Sequence, residues 1–389
     1  MSAVVAIRGL PNKDLIVGYH GITATKARME GTVEIRAVGL NSSMELSRVV
    51  LHLQKVEHIH LLSNHTGLTA LKREETTLLC DSLIYKCPLN NTEPVSYKRI
   101  PFSMHLPQGE QLLCGSISLP NRCCETTYTL IAKAHLERGP IYEASVPVFV
   151  PRFDLLSCFG MYSVPVTKQQ LSSDHIVSVR VTLPKTAFGP SDTLPVLVTV
   201  AANPDWPSKA KKVKVRKISV KVHETLTFDP QGAVPIVRQK LLAQTSSEPN
   251  KSLAGGAFET DINLCLPTFD RRDANGFFAR QAFVPNAGFS TTATLYSIQF
   301  SLLTTVKLVS AKDVPVNHEI KICPWSSEEC EQFVDGIEQS LRDLQYSDLP
   351  GGFPYSAGLK YPLGAQGHSY DSSLSTKLLI GQHAHSRIE

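Results

Sequence analysis

Aromatic residues are scarce in this chain, 7 % of 389 positions with only two tryptophans, and charged residues make up just 19 %. With 42 % apolar residues beside so little charge, the sequence is that of a folded chain rather than an intrinsically disordered one. No run approaches the roughly 18 apolar residues that span a bilayer. The opening MSAVVAIRGLPNKD has no basic lead followed by an apolar core and a cleavage site, so a cytoplasmic protein is expected. Cysteines number nine, irregularly spaced and without a Cys-x-x-Cys pair, which argues for reduced thiols, among them Cys80, Cys87, Cys123, Cys124, Cys323 and Cys330. Four glycosylation sequons, beginning at Asn41, Asn64, Asn90 and Asn250, are read as coincidental in that setting. The net charge of +4 is too diffuse to point to nucleic acid. The G-x-S-x-G elbow, the phosphate-cradling glycine loop, H-E-x-x-H and the dinucleotide fingerprint are all missing. No enzyme and no cofactor are expected.

What is present is β periodicity. Between 291 and 323, Tyr296, Ile298, Phe300 and Leu302 alternate with Leu295, Ser297, Gln299 and Ser301. A turn at Ala311-Lys312-Asp313 leads into Val314, Val316, His318, Ile320 and Ile322. Such a hairpin must bury one face on a second sheet. Strands are also expected at 4–7, 31–37, 48–56, 96–106, 126–136, 141–150, 176–183, 194–200, 209–228 and 255–266, with a mobile loop at 245–253. Their short, regular spacing predicts an all-β chain of two tandem antiparallel sandwiches. Ser326 and Glu329 have capping-box spacing ahead of Phe333, Ile337, Leu341 and Leu344, which predicts a short amphipathic helix; Gly336 weighs against it. The expected organisation is a first sandwich at 1–155, a connection at 156–175, a second sandwich at 176–325, the helix at 326–346 and a flexible Gly/Ser/Tyr-rich tail at 347–389.

Several segments together resemble the arrestin family, in particular its α-arrestin or arrestin-domain-containing branch common in fungi. In the first half these are MEGTVEIRAVGL (29–40), SRVVLHLQKVE (47–57), IPFSMHLP (100–107) and ISLPNRCCETTYTLIAKAHLERG (117–139). In the second they are FGPSDTLPVLVTVAANP (188–204), KVRKISVKVHETLTF (214–228) and the hairpin. The resemblance implies immunoglobulin-like sandwiches and a cytoplasmic adaptor, peripheral at the plasma membrane or endosomes. Such an adaptor binds membrane transporters or receptors as cargo and links them to ubiquitin-dependent endocytosis or sorting. It also implies a WW-domain (Nedd4-like) ubiquitin ligase as partner, recruited through a PPxY motif. The sequence has no PPxY; Phe353-Pro354-Tyr355 and Tyr361-Pro362 are the nearest approaches. A ligase-independent sorting or signalling scaffold of the same fold is the alternative.

Candidate binding residues are few. KAKKVKVRKISVK at 209–221 holds Lys209, Lys211, Lys212, Lys214, Arg216, Lys217 and Lys221 with no acid. Its apolar phase changes near Arg216-Lys217, which predicts a bulge. The ribbon suits anionic membrane lipids or an acidic cargo tail, against the plainer reading of a solvated strand face. Tyr346-Ser347-Asp348-Leu349 has the Tyr-x-x-bulky form of a sorting signal, a pattern also common by chance. Serines and threonines at 369–376 are possible phosphate acceptors. His58, His60 and His65 lack the carboxylate or cysteine partners of a metal site. The 270–273 segment (DRRD) reads as a solvated loop. Arg122 flanks Cys123-Cys124, a cation of the kind that lowers a thiol pKa, though by itself a weak signal.

Overall fold

The computed structural model describes residues 2–9, 15–39, 42–61, 71–87, 92–109, 112–119, 123–137, 139–157, 160–229, 234–268 and 288–347. The alternation in sequence becomes alternation of burial. Along Tyr296–Val309, Tyr296, Ile298, Phe300, Leu302, Thr304 and Val306 are buried, while the residues between them face outward or lie half-covered. The hairpin closes as expected, with Phe300 opposite Ile320 and Val306 opposite Val314.

Among the described residues four sheets form, almost wholly antiparallel. In the first half, Ser2–Gly9, Arg28–Val38, Ile16–Val17 and Tyr97–His105 make one sheet. It faces a second sheet ordered Tyr142–Val148, Cys124–Leu136, Met44–Leu61 and Leu71–Lys86. Met29, Val33, Ile35, Leu51, Leu53, Phe102, Tyr128 and Leu130 fill the space between them. In the second half, Val166–Leu171, Val177–Leu183, Thr193–Ala202 and Phe258–Cys265 face a larger sheet ordered Ala187–Phe188, Val314–Ile322, Tyr296–Val309, Lys214–Phe228 and Ile236–Ser247. The all-β class, with a C-terminal helix at Ser327–Ser347, is what the chain adopts.

The two halves are not separate bodies of core. Ile59 and Leu61 at the end of one long strand, with Ile117, Leu119 and Cys124, leave the first core and join the second. The first sandwich is therefore seated on one end of the second by apolar burial as well as by polar contacts.

Three expectations about local structure need correction. Leu71–Lys86 and Ile236–Ser247 are long strands, and the latter absorbs the start of the expected loop at 245–253. Both lie at sheet edges, where neither face is fully buried and no clean apolar alternation is imposed. Val166–Leu171 is likewise an edge strand, five of its six residues exposed, inside the stretch expected to be an irregular connection. The expected strand at 209–228 begins only at Lys214, because Pro207 opens a helical turn, Pro207–Ala210, in which its missing N–H costs nothing. The expected tail lies outside the described residues from 348 onward.

Candidate functional site

The second sandwich has two ends, and each carries a distinct set of polar groups. At one end Phe228 pairs with Tyr296 and Thr193 with Cys265. This is the junction with the first half. Glu57 is fully buried there, on the inner phase of Met44–Leu61. One of its oxygens accepts the Leu295 N–H at 2.9 Å; the other receives the Thr294 hydroxyl at 3.3 Å and lies 2.5 Å from the Lys55 ammonium. Thr126 and Tyr296 share a buried hydroxyl hydrogen bond of 2.6 Å across the same seam. These contacts give the junction a fixed orientation that apolar packing alone does not impose.

The C-terminal helix closes a second side of the junction. Its start is held as the capping spacing predicts: the Ser326 N–H donates to the Glu329 carboxylate at 2.9 Å and the Glu329 N–H to the Ser326 hydroxyl at 3.3 Å. Asp192, on the second sandwich, accepts the Ser327 N–H at 3.2 Å and the Ser327 hydroxyl at 2.7 Å, and pairs with Lys185 at 3.3 Å. A carboxylate at a helix N-terminus also meets the positive end of the helix dipole. Beyond this base, Phe333 packs edge-on to Phe153 and Trp325 with centroids 5.1 and 4.9 Å apart, and Tyr19 meets Phe153 at 5.0 Å. Tyr19 and Phe153 belong to the first half. A helix on the second half thus bridges the two through an aromatic cluster. Gly336, which weighed against the helix, is what admits the bridge, because a Cβ there would collide with the Tyr19 hydroxyl.

His20 lies under the same seam, fully buried, its Nδ1 3.2 Å from the Pro151 carbonyl. Burial lowers its pKa to about 4, with Arg152 pushing the same way and Asp154 opposing. The imidazole is therefore neutral in the fold while an unfolded chain protonates it near its ordinary value of about 6.5. As pH falls from about 6.5 to about 4 the unfolded state gains a proton the folded state does not, and stability declines. The expected loss from this group is about 3 kcal/mol. Urea unfolding at pH 7, 5.5 and 4 checks it, with His20→Gln expected to remove that share of the decline.

The opposite end of the second sandwich holds the basic stretch. Val177 pairs with Ala202 there, and Lys214 with both Val309 and Ser252. Between Ala202 and Lys214 the chain makes a projecting tip. Lys209, Lys211 and Lys212 are exposed on it, and Lys214 and Arg216 follow, exposed, at the strand start. The strand is irregular between Val215 and Lys217 against its neighbour, as the phase change predicts. Lys217 and Lys221 are not part of this tip. They lie half-buried on the outer sheet face, Lys217 opposite Lys307 and paired with Glu248 at 3.0 Å. The seven basic residues thus divide into five at the tip and two on a strand face.

Composition gave no weight to Trp206. It stands on the tip with 45 % of its surface exposed, and the Lys209 ammonium lies 4.2 Å over its ring. An exposed indole among lysines is the pattern of a lipid–water interface, where the ring sits at headgroup depth. Its adjacency to the lysine run was the available signal.

The remaining candidates are dispersed. Tyr346 falls in the last turn of the helix, and Leu349 lies outside the described residues. The rings of His58 and His60 are 6.2 Å apart, and among the described residues no group of metal-ligating side chains surrounds them. His65, Arg122 and the 270–273 segment lie outside the described residues. Cys123 has its thiol pKa lowered to about 7 by a hydrogen bond with the Cys124 thiol.

Two antiparallel sandwiches seated end to end, bridged by a terminal helix, define an arrestin-like architecture. Residues 173–325 match the family model of the arrestin (or S-antigen) C-terminal domain. No curated protein matches it. No helix among the described residues is long and apolar enough to cross a membrane.

Proposed function

We propose that this chain is an arrestin-type adaptor that binds membrane-protein cargo while its Trp206 tip rests on an anionic membrane surface. The observation that carries the reading is the placement of exposed Trp206 among Lys209, Lys211, Lys212, Lys214 and Arg216, at the end of an arrestin C-terminal domain remote from the junction. Near an anionic surface each such cation contributes about 1 kcal/mol. Lys217 and Lys221 add to the field from the sheet face. Transporters or receptors are the cargo class that the α-arrestin resemblance implies, and a WW-domain ligase is the proposed downstream partner in endocytosis. The same contacts also serve a ligase-independent sorting scaffold. Affinity capture with and without residues 326–389 separates the two, since recovery of a WW-domain ligase supports the first and its consistent absence the second.

The membrane contact has its own test. Reversing Lys211, Lys212 and Lys214 to glutamate removes about 3 kcal/mol of attraction and adds repulsion, so partitioning onto phosphatidylserine vesicles is expected to fall more than about 100-fold. Sedimentation with vesicles measures it. Neutral vesicles should show little binding by either protein, and unchanged binding of the reversed variant to anionic vesicles would remove the proposal.

A further inference from the structure

The base of the bridging helix contains two thiols in contact. Cys323 follows directly on the Val314–Ile322 strand and Cys330 lies in the first turns of Ser327–Ser347, with their Sγ atoms 3.9 Å apart. Both residues are fully buried. A disulfide needs the sulfurs to close from there to about 2.05 Å. We propose that Cys323 and Cys330 form a reversible intramolecular disulfide that staples the helix base to the last strand of the second sandwich.

The chemistry balances with a low-molecular-weight disulfide such as glutathione disulfide as oxidant. One thiolate of the pair attacks it, forming a mixed disulfide and expelling one glutathione thiolate. The second protein thiolate attacks the protein sulfur of that mixed disulfide, forming the Cys323–Cys330 bond and expelling the second glutathione. Two electrons pass from the protein dithiol to glutathione disulfide, and the two thiol protons end on the two released glutathiones.

Closure of the site controls the rate. Hydrogen bonding to Cys330 and burial hold the Cys323 thiol well above its ordinary pKa, so the pair is unreactive while the helix is seated. Reaction requires the first helical turn to open, and Ser326, Glu329 and Asp192 set how often it does. After oxidation the ring linking residues 323 and 330 holds helix and strand together through later openings. The bond would thereby fasten the element that joins the two halves, whatever cargo or membrane the protein engages.

The test uses the full chain, fully reduced and then incubated with glutathione disulfide, quenched with iodoacetamide and mapped by mass spectrometry. The expected product is a cross-linked Cys323/Cys330 peptide about 2 Da lighter than the two reduced peptides together. Amides of 327–347 should then exchange with deuterium about tenfold more slowly than in the reduced protein. Cys330→Ala should fold, since alanine fills most of that volume, and should lose the cross-link while Cys323 becomes glutathionylated or alkylated. A little urea, enough to loosen the helix, should accelerate cross-linking in the wild-type chain. If Cys323 and Cys330 both remain alkylatable under that treatment while Cys123 or the exposed Cys265 takes up glutathione, simple exposure governs oxidation and the proposal is overturned.

Discussion

Replacing Gly189 by alanine is expected to destabilise the protein by about 3 kcal/mol and to release the C-terminal helix. A Cβ at that position would drive into the backbone carbonyl of Trp325, with the Ser326 Cα 2.9 Å away. Neither neighbour is the free end of a side chain, so relief requires the 325–327 segment to lift. Lifting it breaks the Asp192 contacts to Ser327 and the Cys323 N–H bond to the Phe188 carbonyl at 2.9 Å. Urea unfolding gives the stability change, and hydrogen exchange over 327–347 reports the helix. Gly139→Ala is the control. Its new Cβ would meet only Leu136 side-chain atoms at 3.5 Å or more, and a change within about 0.5 kcal/mol is expected.

The second large effect is at the other side of the junction. Glu57→Ala is expected to cost about 3 kcal/mol, because it leaves the half-buried Lys55 side chain without its carboxylate and orphans the Leu295 N–H. The double change Glu57→Ala with Lys55→Met should cost clearly less than the sum of the two single changes, since the unpaired cation is then gone as well. Because Glu57 and Leu295 belong to different halves, the single variant should also expose new protease sites near 294. A cost under about 1 kcal/mol for Glu57→Ala would mean that water replaces these contacts and that apolar packing alone seats the halves.

A feature of this fold is legible in the sequence where a residue's partners lie close to it along the chain. The 296–322 hairpin was legible because its faces differ, Phe300 and Leu302 inward against Gln299 and Ser301 outward. The Ser326/Glu329 cap was legible because both partners lie within one turn. Ile236–Ser247 was not, since an edge strand with Val237 and Leu241 exposed follows no buried period. Glu57 and Leu295 are 238 positions apart, and nothing local to either announces the other. The same holds for Gly189 against Trp325, where the glycine serves close backbone approach rather than a turn. At the tip the lysines are evident in the sequence and their setting is not. Pro207 converts what reads as the start of a strand into a helical turn, and that turn moves Lys209, Lys211 and Lys212 from a sheet face to a projection beside Trp206.

Trp206 also offers the most direct measurement, because the chain has only one other tryptophan, Trp325, which Trp325→Phe removes while keeping an aromatic ring in the cluster. The emission of that variant then reports the tip alone. On titration with phosphatidylserine vesicles a blue shift and quenching by brominated acyl chains are expected, with neither seen for phosphatidylcholine vesicles. Emission that stays at the water-exposed wavelength while the protein binds the anionic vesicles would place the membrane contact away from Trp206 and rule out the tip as the docking element.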